Sequence, residues 1–164
     1  MNIIFLDIDG VLNTLGDTNL IENTFELNKL KLLIKLLEET NSKIVVTSDR
    51  RTLESEREMI GRVFYNYGVN IDYLSLKRTH RKRSDEILYY LKNNDVNKYV
   101  ILDDNDLGYS ENNELSSHFI NTYDNGFTEI EYIKAYNKLK WDVISFFLCY
   151  NINIYCVYEY VLTI

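Results

Sequence analysis

The stretch NIIFLDIDGVLN, residues 2–13, decides the fold. NIIFL is a short apolar, β-branched run that stops abruptly at an acid. Two later stretches share that shape. KIVV (43–46) leads into Thr47, Ser48 and Asp49, and YVIL (99–102) leads into Asp103 and Asp104. Short apolar runs bounded by turn-forming residues read as buried strands. In an open parallel α/β sheet, ligands bind in the crevice outside the carboxyl ends of the strands. Chemistry at the ends of three such strands therefore converges on one crevice. HRKRSDEI (80–87) adds cations to the set.

The intervening segments read mostly as helices. FELNKLKLLIKLLEETN (25–41) places Leu27, Leu30, Ile34 and Leu37 on one stripe. A polar helix is expected over 52–67, ended by Gly68, and a short strand over 71–76. A further helix is expected over 84–93, with Ser84 as N-cap ahead of Asp85 and Glu86. Strands are expected at 98–102 and 117–122. A last helix is expected over 127–140, after the turn Asp124-Asn125-Gly126. Strands alternating with helices imply right-handed crossovers and a parallel sheet covered on both faces. The expected architecture is an α/β, Rossmann-like three-layer sandwich with a central, mostly parallel sheet.

The 164 residues suit one core, and no repeat or linker divides them. One domain is expected over 1–140, with the tail 141–164 packed on it. That tail, WDVISFFLCYNINIYCVYEYVLTI, approaches the ~20 residues of a spanning helix. Asn151, Asn153 and Glu159 interrupt it, and Ile152, Ile154, Tyr158 and Tyr160 alternate, which suits a strand better than a membrane anchor. Because the sequence opens on a strand, no secretory signal is expected. Cys149 and Cys156 fit neither a zinc pattern nor a disulfide framework, so a reducing cytoplasm is expected. A net charge of −7 argues against a generic nucleic-acid coat but not against a local basic site.

Asp7 and Asp9, two apart at a strand end, point to the same side. Two carboxylates facing one site repel, so a proton or a divalent cation must relieve them. Asp103 and Asp104 form a second acidic pair. Magnesium takes hard oxygen ligands, and Asp7 with one of Asp103 or Asp104 would supply them. Thr47 and Ser48 offer hydroxyls to a phosphate, and one of Arg50 and Arg51, which follow, can grip one bidentately. In KRTHRKR (77–83), five of seven residues are Lys or Arg. One of these cations is expected to neutralise a phosphoryl group, and Lys77, Arg78 and Arg81 to face a polyanion. His80 and His118 have no matched acid and read as structural.

Taken together, these residues resemble the haloacid dehalogenase-like (HAD) phosphohydrolase superfamily. DIDGV (7–11) resembles its nucleophile motif, Ser48 the hydroxyl of its second motif, Lys82 or Arg83 the cation of its third, and Asp103-Asp104 its acidic fourth. The combination LDIDGVLN, TSDR and LDD is similar to the HAD domains of RNA-repair proteins and to polynucleotide kinase 3′-phosphatase domains. There an Arg follows the second motif, as Arg50 does here. The resemblance implies that Asp7 attacks phosphorus and that Asp9 is the general acid and base, its backbone carbonyl on magnesium. Ser48 and Lys82 or Arg83 would balance phosphoryl charge. Only residues 10–24 separate the first motif from the first helix, so a capless site with at most a short flap around 13–23 is expected. An open site suits a polymer end. The leading expectation is a phosphatase for a nucleic-acid 3′-phosphate. A nucleotide or small-phosphomonoester phosphatase and a non-catalytic binding module are the alternatives.

Overall fold

The computed structural model describes residues 1–76 and 82–140. The expectations for Lys77, Arg78, His80, Arg81 and the tail with its two cysteines lie outside those residues.

Five strands form one parallel sheet: β1 (Asn2–Leu6), β4 (Ser42–Val46), β5 (Ile71–Tyr73), β6 (Lys98–Asp103) and β7 (Phe119–Asn121). Their spatial order is β5-β4-β1-β6-β7. β1 is central, with Leu6 level with Val46 on one side and Leu102 on the other. Four helices accompany them: α1 (Leu27–Thr40), α2 (Glu54–Asn66), α3 (Arg83–Asn93) and α4 (Glu129–Lys140). Successive side chains along each strand point to opposite faces of the sheet, and the two cores separate accordingly. Ile4, Leu6, Ile44, Val46, Val100 and Leu102 pack with residues of α1, α2 and α4. Ile3, Phe5, Val45 and Ile101 pack with Ile87 of α3 and with Tyr109 and Leu115.

Right-handed crossovers explain which helix lies where. From β1 the chain steps to β4 and on to β5, so α1 and α2 share a face. From β5 it jumps across β1 to β6 and on to β7, which sends α3 and the 107–116 segment to the opposite face. The chain leaving β1 and the chain leaving β6 therefore turn to opposite sides of the sheet. The crevice between adjacent β1 and β6 is the topological switch point, where α/β folds bind ligands.

Several boundaries differ from the sequence reading. Phe25 and Glu26 are not helical. They form β3 (Phe25–Glu26), which pairs antiparallel with β2 (Leu20–Ile21). The Glu26 side chain then caps α1 by accepting the Lys29 N–H at 2.9 Å. Asn41, in the left-handed region at φ 50°, ends α1. The helix expected over 52–67 is split into a 3-10 turn at Asp49–Thr52 and α2, with extended Leu53 between them. α3 begins at Arg83 with Lys82 at its cap, so Ser84 is buried in the first turn rather than capping it. Among the described residues, no helix is long and apolar enough to cross a membrane.

Candidate active site

Asp7 follows β1 directly, and its N–H donates to Leu102 O at 2.9 Å, so the ladder to β6 continues one residue past the strand. This brings Asp7 level with Asp103. Both are buried, Asp103 completely. Asp7, Asp103 and the half-buried Asp104 each offer a carboxylate oxygen within 4.8 Å of the others. Gly10 lets Asp104 in. Its φ is +73°, and a Cβ there would lie 2.4 Å from Asp104 Cγ. Only glycine satisfies both demands.

Arg83 lies against these acids. Its Nη1 lies 2.7 Å from Asp103 Oδ2 and 3.1 Å from Asp7 Oδ1. The two alternatives at this position thus separate in space. Arg83 is buried against the acids, whereas Lys82 is half exposed and pairs with Glu111 Oε2 at 2.9 Å. Asp103 is pinned further by the Tyr109 hydroxyl at 2.9 Å and by the Asn105 N–H at 3.0 Å.

One arginine does not offset three crowded carboxylates. Burial, then the charge of Asp103, raise Asp7 from its ordinary value to about 7, against the pull of Arg83 and of hydrogen bonds from Ser48 and the Ile8 N–H. Burial raises Asp103 as well. A clustered, oxygen-only donor set with unrelieved negative charge fits a hard divalent cation.

Asp9 lies apart from the cluster and is exposed. Arg50 clamps it, with Nε to Oδ2 and Nη2 to Oδ1 both at 2.8 Å, and places its other terminal nitrogen 2.8 Å from Glu56. This pairing holds Asp9 below the usual carboxylate range. Asn13 also reaches Asp9, at 3.2 Å, and accepts the Gly10 N–H at 3.1 Å. Ser48 touches Asp7, but Thr47 is wholly buried, and its hydroxyl has no hydrogen-bond partner among the described residues. The short flap is braced by Lys29, which bonds Thr14 Oγ1 at 2.9 Å and Asp17 Oδ2 at 2.6 Å.

The sequence reading missed Glu86, Tyr109 and Asn13, and saw Arg51 only as a phosphate contact. Arg51 is wholly buried and donates to the carbonyls of Thr47, Ser48 and Ser75 and to Glu86 Oε2. Glu86, three residues after Arg83, carried a usable signal: the i,i+3 spacing puts both on one face of α3. Tyr109 comes from an aperiodic loop and gave none.

Nothing larger than the β2–β3 hairpin is inserted between β1 and α1. A five-stranded parallel sheet flanked by four helices, with acids at its switch point, is a HAD-like core without a large cap. Residues 3–131 match the family model described as the HAD domain in Swiss Army Knife RNA repair proteins, and the chain belongs to that family. No curated protein and no solved structure matches the chain.

Proposed function

We propose that the chain is a magnesium-dependent phosphomonoesterase that works through an aspartyl-phosphate on Asp7 and acts on a nucleic-acid 3′-phosphate end. The observation that carries this reading is the setting of Asp7: buried at the switch point, against Arg83, and beside Asp103 and Asp104. The family's association with RNA repair supports the substrate class.

Asp7 attacks phosphorus through a carboxylate oxygen, and the P–O bond to the leaving sugar oxygen breaks. Asp9 gives its proton to that oxygen. It then takes a proton from the water that attacks the acyl phosphate and releases inorganic phosphate and Asp7. Asp9 must carry a proton to begin, and its clamp with Arg50 opposes this. Transfer of the Arg50 fork from Asp9 to phosphate oxygens of the substrate removes the opposition and holds the substrate bidentately. Arg83 and Ser48 take the remaining phosphoryl oxygens, donating where charge builds in the transition state. The Asp7, Asp103 and Asp104 side chains and the Asp9 carbonyl would hold the magnesium, which supplies further positive charge at the transferred group. Lys77, Arg78 and Arg81 would meet phosphates beyond the reacting one.

The test is a phosphatase screen with 3′- and 5′-phosphorylated oligonucleotides, nucleotides and p-nitrophenyl phosphate, each with magnesium or EDTA. Magnesium-dependent release of phosphate, fastest from the 3′-phosphorylated oligonucleotide, is the expected result. Preference for a mononucleotide would move the substrate to a small molecule. No metal-dependent turnover of any substrate would make the domain a binding module.

A further inference from the structure

The turn after β7 is tied to the two segments that border the crevice, after β1 and at the end of β6. Asp103 is in register with Asn121. The Thr122 N–H donates to Asp103 O at 3.1 Å, and its hydroxyl donates to Gly10 O at 3.0 Å. Neighbouring strands lie roughly 4.8 Å apart, so this turn starts one strand spacing from the acidic cluster. It borders a groove of about 470 Å³ whose lining includes Asn121, Tyr123, Asp124, Asn125, Glu131 and Lys134. That volume falls within the roughly 300–1,000 Å³ of small-ligand sites.

Tyr123 is 73% exposed. Exposure alone decides little, since Tyr65 and Tyr89 are also exposed, on α2 and α3. Position distinguishes Tyr123: it lines the groove at the carboxyl end of β7, one residue past Thr122, which is bonded to Asp103 and Gly10. Its turn is braced, with Asn121 Oδ1 accepting the Tyr123 N–H at 2.8 Å.

The charges of the groove select the part of a ligand that fits. Asp124 and Glu131 outnumber Lys134, which is itself paired with Glu131 at 3.4 Å. A phosphate would be repelled. An uncharged planar group finds an aromatic face in Tyr123 and amide donors and acceptors in Asn121 and Asn125. We infer that this groove takes the nucleobase of the terminal nucleotide, stacked on Tyr123, while its phosphate reacts at Asp7. The inference rests on the proposed nucleic-acid substrate. Stacking tolerates every base, because each has a π-face, so the subsite detects that a base is present more than which base it is.

The test uses two single-stranded RNA oligonucleotides ending in a 3′-hydroxyl, the reaction product, one intact and one abasic at its last residue. Each is titrated into the full chain and followed by fluorescence anisotropy. Loss of the terminal base should weaken binding about 5- to 150-fold, the span of base–aromatic stacking. Y123A should weaken the intact ligand by a similar factor and leave the abasic one unchanged, and Y123F should bind like wild type. A wild type that does not distinguish the two ligands, including by binding neither, overturns the inference. So does a Y123A that weakens both equally or neither. Turnover of p-nitrophenyl phosphate is measured alongside. Its absence in wild type rejects the phosphatase reading, while the anisotropy still decides the groove.

Discussion

Arg51 donates to Glu86 Oε2 at 2.6 Å with both side chains buried. The same guanidinium takes the carbonyls of Thr47, Ser48 and Ser75. It thereby ties the ends of β4 and β5 to the first turn of α3. Arg83 starts that turn, so its place beside Asp7 depends on a pair that touches none of the acids of the cluster.

Arg51→Ala should be among the most destabilising single changes. Removing one partner of a buried ion pair typically costs roughly 3–5 kcal/mol, because the other charge is left buried. For a domain of this size that is a fall in Tm on the order of 10 °C. Arg51→Lys keeps the charge but cannot reach all the acceptors at once, and should fall between. Thermal unfolding followed by circular dichroism checks both. A shift of about a degree or two for Arg51→Ala would mean that the pair does not tie these elements.

What the sequence made legible were the features with a period or an abrupt edge. Buried strands need unbroken apolar runs, so NIIFL, KIVV and YVIL announced themselves, and Asp7, Asp103 and Ser48 marked their ends. Neighbouring residues with the same charge were not separable by pattern alone. Arg50 faces Asp9 while Arg51 is buried, and Lys82 pairs outward while Arg83 turns in. The backbone makes these choices. Lys82 is extended at φ −117° and ψ 149°, whereas Arg83 is the first helical residue, so their side chains diverge. The β2–β3 hairpin has strands of two residues each, too short for any period to register.

Arg83 and Lys82 should therefore respond differently to substitution. Under the proposed mechanism, Arg83→Ala abolishes measurable turnover. Removing a positioned donor typically costs about 10²–10³-fold, and here it also leaves the acidic cluster without its cation. Lys82→Ala should stay within about twofold of wild type on p-nitrophenyl phosphate, since surface changes seldom propagate. Steady-state kinetics of the two variants decides, and the reverse ranking would transfer the role to Lys82.

Gly10→Ala tests the close approach of Asp104. The new methyl cannot coexist with the Asp104 carboxylate as placed, and φ +73° strains any L side chain. Asp104 must swing away. The variant should fold with reduced stability and require far more magnesium for half-maximal activity. An unchanged magnesium requirement would show that Asp104 contributes nothing to the metal site.

The pH dependence of the metal-free protein follows from Asp7. Its carboxyl titrates near 7 in the fold against 3.8 for the ordinary group, so folding favours the protonated form. The sign is fixed by linkage: the contribution of Asp7 to stability is full below about pH 4 and is lost as pH rises toward and through 7. In EDTA, the Tm of wild type relative to Asp7→Asn, which carries no charge at any pH, should fall between pH 5 and pH 8. Magnesium should reverse the fall at pH 8, because it favours ionised carboxylates. A constant difference across that range would mean that Asp7 is ionised throughout.

The run 77–83 offers the clearest separation of a polymer from a small substrate. The chain carries a net charge of −7, yet this run concentrates five cations, the last of them Arg83 at the start of α3. If the substrate is a nucleic acid, Lys77, Arg78 and Arg81 contact phosphates beyond the reacting end. Replacing all three by Ala should weaken oligonucleotide binding and flatten its salt dependence. Each lost phosphate contact removes a slope of roughly 0.7 in log K against log salt on single strands. Turnover of p-nitrophenyl phosphate, which has no further phosphates, should barely change. Equal losses on both substrates would give these residues a structural role. No loss on either would leave them a solvated turn and favour a small phosphomonoester as substrate.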